Sequence, residues 1–228
     1  FSSFGHFTGN KMTSSNVILK SGLIQNNRLN TTGSITADNA VVDNNTLESG
    51  SITANFSVIE NNTLQQGGIV ISHGDLKDNL VTGAEIGIKV IKYSQGGGCC
   101  SSSSNESNIS LIDNTVTGSN VGIQFDSLDK IYTRNNTLTD NQKGIVWNYS
   151  CENCNFKLRD FDLSGNSHWA IYANGTQVTS VNIEDSWWGS TNPGSIEALI
   201  FDRHHTTANT SNKLGVIFSP WRSGKSRA

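Results

Sequence analysis

Side chains able to do chemistry are few in this chain and widely spaced. Asp43 and Glu60 stand seventeen residues apart in matching contexts, VVDNNTL and SVIENNTL. Two carboxylates brought together by such a repeat could bind a cation or raise one another's pKa. Lys77 occupies the next equivalent position, and Arg134, Arg159 and Glu184 continue the series. The set therefore reads as a solvated stripe of mixed charge, with Lys77 offsetting the two acids, and the other outward face, beside the Ile column, lacks both the paired carboxylates of glycoside hydrolysis and an acid-plus-base cluster. His73 with Asp75 in SHGD, and the run Arg203, His204 and His205, match no metal-ligand or triad spacing and read as surface residues. No catalytic set, metal site or cofactor site is expected, and the chain does not read as an enzyme.

Four cysteines form two pairs, Cys99 with Cys100 in GGGCCSSSS and Cys151 with Cys154 in SCENCN. A zinc site is the rival to disulfides, but an adjacent Cys-Cys pair suits tetrahedral chelation poorly. Disulfides between the pairs are expected, with the connectivity open, and they imply an oxidising compartment. Ten Asn-X-Ser/Thr sequons point the same way: Asn30, Asn44, Asn55, Asn61, Asn105, Asn108, Asn135, Asn148, Asn174 and Asn209. With 28 Asn among 228 residues, roughly six sequons would arise by chance, so each is a candidate for glycosylation and no more.

The scaffold that positions these residues follows from composition and repeat. The chain holds 28 Asn, 30 Ser, 20 Thr and 22 Gly but only 2 Pro, with a net charge of −3. So few Lys and Arg argue against a nucleic-acid partner. No apolar run approaches the roughly 18 residues of a membrane span. The opening at Phe1, without Met or a basic-then-apolar leader, reads as a processed or trimmed start. Disorder would bring Pro and high net charge, so many short strands and tight turns are expected instead.

A repeat supplies them. GSITADNAVVDNNTLES from Gly33 is followed seventeen residues later by GSITANFSVIENNTLQQ, and a looser copy, GGIVISHGDLKDNLVTG, begins at Gly67. Three apolar columns recur: Ile24, Val42, Ile59, Leu76, Leu111, Thr133 and Leu158; Leu29, Leu47, Leu64, Val81, Val116, Leu138 and Leu163; and Ile35, Ile52, Ile69, Ile88, Ile123, Ile145 and Ile171. Between the first two runs a polar column, Asn27, Asn45, Asn62, Asn79, Asn114 and Asn136, after which Phe161 takes the place. An Asn recurring at the same bend can bond the coil on either side, which is how a buried amide escapes its desolvation cost. Asn44, Asn61 and Asn135 immediately precede ladder residues and should face outward. An eighth, degenerate coil uses Ile183, Ser186 and Trp188.

Turns of 17 to 26 residues with two or three short strands have the size of a parallel β-solenoid coil. The units VIENNTLQQGGIVI and LIDNTVTGSNVGIQF resemble the generic repeat of the right-handed parallel β-helix superfamily, the pectin-lyase-like fold, over about residues 17–190. DSWWGSTNPGSIEALIFD, followed by LGVIFSPW, is similar to a C-terminal closing segment of secreted or surface members. The resemblance implies an all-β, single-stranded right-handed parallel β-helix of about 7–8 coils with a short C-terminal capping helix. With the residues at the two ends, the expected organisation is an N-terminal arm or cap over 1–16, the β-helix over 17–190, and a C-terminal cap over 191–228 with a helix at about 193–202, capped by Asn192, started by Pro193 and turning Ile196, Leu199 and Ile200 to one face, and a strand at about 214–219. Activity the resemblance leaves open. Family enzymes place their chemistry on an outward strand face; here that face carries Thr36, Thr53, Val70, Lys89, Gln124, Val146 and Tyr172.

Phe1, Phe4 and Phe7 form an apolar arm that either folds over its own first coil or docks on a neighbouring subunit. The expected function is an extracellular or cell-surface structural protein: a glycosylated, disulfide-containing subunit of a fibre or coat, self-associating through its solenoid ends and this arm. A carbohydrate-binding or polysaccharide-cleaving β-helix is the alternative, to be supported by exposed aromatics such as Tyr132, Trp147 or Tyr172. Ice binding is disfavoured, because the Thr46, Thr63, Thr115 and Thr137 column is broken by Leu80 and no second threonine rank is apparent.

Overall fold

β-Branched residues broken every few positions by Asn, Asp or Gly leave the backbone short extended segments and sharp corners, and little else. A computed structural model shows how they assemble; it describes residues 4–91, 108–126, 130–148, 155–174, 179–204, 214–219 and 221–224. The described residues are nearly all β, a parallel β-helix with one short helix among them.

The first coil comprises the strands Phe4–Thr8, Lys11–Thr13 and Asn16–Leu19, and each later coil repeats that order. Like strands stack in parallel into three long sheets. Sheet A has seven strands, ending at Lys130–Arg134; sheet B has eight, ending at Phe161–Asp162; sheet C has nine, ending at Ile200–Phe201. A three-stranded sheet D (Asn155–Arg159, Thr179–Glu184 and Leu214–Ile217) takes over beyond the end of sheet A.

All three apolar columns are stacked in the register the repeat implies. Each also runs further than the repeat suggested: Phe7 pairs with Ile24, Met12 with Leu29, Val17 with Ile35 and, at the far end, Ile171 with Ile200. Fully buried Ile and Leu side chains fill the bore, and each contributes about 1.5–3 kcal/mol by leaving water. One joint differs. Between Thr133 and Leu158 no strand ladder forms; instead the buried Thr133 hydroxyl accepts from Arg159 N–H at 2.9 Å and donates to Arg159 O at 3.0 Å.

Close coil stacking needs glycine where backbone meets backbone. A Cβ on Gly67 would lie 1.7 Å from Gly50 O, so no side chain fits there.

Two features of the ends correct the sequence expectation. Phe4–Thr8 is no free arm: it is the first strand of sheet A, paired along its length with Ser21–Gln25, and Phe7 packs half-buried on the core. Phe1 lies outside the described residues, as does the side chain of Phe4. The C-terminal helix is Pro193–Glu197, much shorter than 193–202, because Ile200–Phe201 leaves it to pair with the strand of Ile171. Asn192 caps it by accepting from Ser195 N–H at 3.2 Å, Pro193 starts it, and Ile196 is buried. Leu214–Ile217 is the final strand. Trp188 is buried, with Phe218 and Trp221 packed against the core beside it.

Candidate functional site

Each coil turns from its first strand into its second through two residues of fixed role. The first adopts left-handed backbone geometry: Asn26, Asn44, Asn61, Asp78, Asp113, Asn135, Asp160 and Asp185 all have φ between 49° and 61°. Asn and Asp tolerate that region better than any other side chain except Gly. The second is the ladder Asn, and all six expected members are at most 2% exposed. Asn62 shows the geometry. Its Oδ1 accepts from Asn45 N–H at 2.9 Å and Asn45 Nδ2 at 3.0 Å, while its own Nδ2 donates to Val42 O and Glu60 O, both at 2.8 Å, and to Asn79 Oδ1 at 3.0 Å. The same pattern runs unbroken from Asn10, whose Nδ2 donates to Asn27 Oδ1 at 3.0 Å, to Asn136. At Phe161 the amide is gone, and Ser186 Oγ accepts from Phe161 N–H at 3.1 Å instead.

A second ladder escaped the sequence reading. Before the sheet C strands, Ala84 N–H donates to Ser119 Oγ, Ser119 N–H to Asn141 Oδ1 and Asn141 N–H to Asn166 Oδ1, at 3.0, 2.9 and 3.1 Å. Asn141 and Asn166 are one coil apart, but Ser119 and Ala84 break the residue identity that would have revealed the column.

These corners also account for three sequons. Asn44, Asn61 and Asn135 are the left-handed residues, and their amides donate to Asn26 Oδ1, Asp43 Oδ1 and Asp113 Oδ1 at 2.6, 2.9 and 2.7 Å. The Asn-Asn pair is thus what the corner itself favours, and the following outward Thr completes the sequon. Asn55 sits between Asp38, to which it donates at 3.1 Å, and Ser72, whose hydroxyl donates to it. Asn30 accepts from Arg28 Nε. Asn148 and Asn174 are exposed at the ends of adjacent sheet C strands, where Asn174 N–H donates to Trp147 O. The Asn108 side chain, Asn105 and Asn209 lie outside the described residues, as do Cys99, Cys100, Cys151, Cys154 and His205.

The charged stripe is assembled as expected on sheet A, where Gln25, Asp43, Glu60 and Lys77 stand in register. Asp43 accepts from Gln25 Nε2 at 2.6 Å, and Lys77 pairs with Asp78 at 3.3 Å. On sheet D, Lys157 hydrogen-bonds Glu184 at 2.6 Å, and with Arg159 at 3.8 Å it holds the Glu184 carboxyl below its ordinary range. Near the C-terminal cap a cavity of about 170 Å3 is bounded by Glu197, Asp202 and the exposed His204. Asp202 acts there as a brace, its two oxygens accepting from His204 N–H and Val216 N–H at 2.9 Å each. Among the described residues, no three His, Cys, Asp or Glu side chains group as metal ligands.

The outward column of sheet C holds Thr36, Thr53, Val70, Lys89, Gln124, Val146 and Tyr172 in one register, flanked by Ile18 and Phe201. At its far end aromatics gather. Tyr172 stacks on Phe201 at 4.6 Å, Trp169 lies 5.5 Å from Phe201, and Lys143 Nζ sits 4.5 Å over the Tyr172 ring. Tyr132 is exposed on sheet A, whereas Trp147 is buried against Phe125 and offers no ligand face.

The fold and its corners define a class, the parallel β-solenoid with internal amide ladders. Compared with known proteins, the chain matches no protein-family model, no curated protein and no solved structure.

Proposed function

We propose that this chain is an extracellular structural protein, a surface coat or fibre subunit of the pectin-lyase-like kind. The observation that carries it is the amide ladder from Asn10 to Asn136: amide side chains in seven successive coils, six of them buried, spend their hydrogen bonds on their own corner and on the neighbouring coils. Such a column favours lengthwise cohesion over a binding cleft. In this reading the cysteine pairs form disulfides, and Asn148 and Asn174, exposed and bonded among the described residues through their backbone N–H groups, carry glycan. Self-association runs through the first coil. The outer edges of Phe4–Thr8, Lys11–Thr13 and Asn16–Leu19 have no strand partner among the described residues, and unpaired edges recruit strands. At the C-terminal end Ile196, Phe218 and Trp221 pack against the core beside the last strands, so association is assigned to the first coil, as a two-fold, edge-to-edge pair that serves as the repeating unit of the coat or fibre. Sedimentation velocity over a concentration series tests this: the full chain should dimerise, and Ile18→Lys together with Val17→Pro on the edge strand should leave monomers. A folded chain that is monomeric throughout would refute it.

A second reading, carbohydrate binding, is favoured by the Trp169, Tyr172 and Phe201 group with Lys143. Aromatic faces and a cation on an otherwise polar surface suit sugar rings. A glycan array should lose its signal with Trp169→Ala and Tyr172→Ala; an array empty for the full chain would remove the reading.

A further inference from the structure

The sequence speaks against ice binding because Leu80 breaks its threonine rank, no second rank is visible in it, and some of these threonines belong to sequons. Sheet B shows two ranks. Thr46, Thr63, Thr115 and Thr137 share one outward column, with Leu80 between Thr63 and Thr115. Two residues further along the strands, Thr82, Thr117 and Thr139 form a second column in register with the first. Together with Glu48 and Gln65, the two columns place seven threonines at ten outward positions over five coils, in a chain with 20 threonines among 228 residues.

A general liking of strands for Thr does not explain this, because the enrichment belongs to one face. Equivalent positions on sheet A are Gln25, Asp43, Glu60, Lys77, Ile112 and Arg134, and sheet C has only Thr36 and Thr53 in its outward column. The five-coil face carries a single charge, Glu48, which pairs with Arg28 at its margin at 2.7 Å. Of the seven hydroxyls, only that of Thr82 makes a hydrogen bond to protein among the described residues, a long one of 3.4 Å to Leu64 O. The other six are left for whatever meets the face.

We propose that this face of sheet B binds ice. Coil stacking repeats the hydroxyl and methyl groups about every 4.8 Å in one direction, and the alternation of the strand repeats them about every 6.7 Å in the other. Both repeats lie close to lattice spacings of hexagonal ice, so the methyls order a water layer and the hydroxyls continue it into the lattice. Crystalline polysaccharide, the other flat hydroxyl-rich solid, calls for aromatic rings to stack on its sugars. The face has none.

The test is partition of the folded, unglycosylated full chain into a slowly growing ice front, with microscopy of ice recrystallisation. The chain should concentrate in the ice and arrest grain growth at micromolar levels. Thr117→Tyr and, as a milder variant, Thr137→Lys should each cut partition at least tenfold, while Thr36→Tyr on sheet C leaves it unchanged. A folded chain excluded from ice overturns the proposal. So does equal loss in Thr36→Tyr, and so does retention on crystalline cellulose or chitin without ice partition.

Discussion

Replacing Asn62 by Ala removes a rung from the middle of the ladder and leaves the apolar columns intact. Asn45 N–H, in a residue only 1% exposed, loses its acceptor, and Val42 O and Asn79 Oδ1 each lose a donor. A buried polar group left unsatisfied costs about 1–3 kcal/mol. The stripped Asn45 N–H bears that cost in full and the carbonyls in part, so a loss of about 3 kcal/mol is expected, a large share of a stability of about 5–15 kcal/mol. For a chain of this length that is roughly 6–12 °C in Tm. Calorimetry or urea unfolding should be run beside Thr63→Ala, one residue on but outward, which should cost under about 1 kcal/mol. Equal losses in the two variants would refute the ladder as a source of cohesion.

Asn62→Asp should make stability pH-dependent in an unusual direction. Its carboxylate would face Val42 O, Glu60 O and Asn79 Oδ1, so the folded pKa rises above the unfolded value of about 3.9. Stability is then fully present below that value and falls as pH rises through the folded pKa, as Tm measured from pH 3 to 7 will show. Glu184 behaves oppositely: Lys157 depresses its pKa, so its stabilisation is present above the ordinary glutamate value and fades as pH falls through the folded one. Lys157→Ala should move the NMR titration midpoint of Glu184 upward. Gly67→Ala drives a Cβ into Gly50 O and should yield no soluble folded protein, against a normal yield for Gly224→Ala, where no atom stands within 4 Å. Asp202→Ala should speed hydrogen exchange in Leu214–Ile217 while leaving Lys143–Trp147 protected.

What made the fold legible was repetition. Ile52, Leu64 and Asn62 recur at fixed spacing because every coil meets the same neighbours, so column and register could be read together. Where a coil departs from the repeat, the pattern went silent: Phe7 and Met12 stand in the first coil where later coils carry Ile, Val or Leu, and the ladder residue Asn10 between them passed unnoticed. Ile200 falls inside the helix expected at about 193–202, yet pairing with Ile171 prevails over local propensity. The second threonine rank was hidden for a different reason. Loops of unequal length separate Thr82, Thr117 and Thr139, and only strand register brings them into line. Trp147 stands two residues beyond Ile145 on the same strand and so shares its inward side; both are buried, and alternation itself removes Trp147 from the exposed aromatics.

The proposed structural role requires a rigid solenoid that meets its own kind through the first coil. Cryo-electron microscopy of the full chain at high concentration addresses that directly. Pairs of rods should be joined at the Phe4–Leu19 end, with the strand spacing of about 4.8 Å carried across the joint and the capped ends pointing outward. Single rods at every concentration, or contacts made through the C-terminal caps, would contradict it.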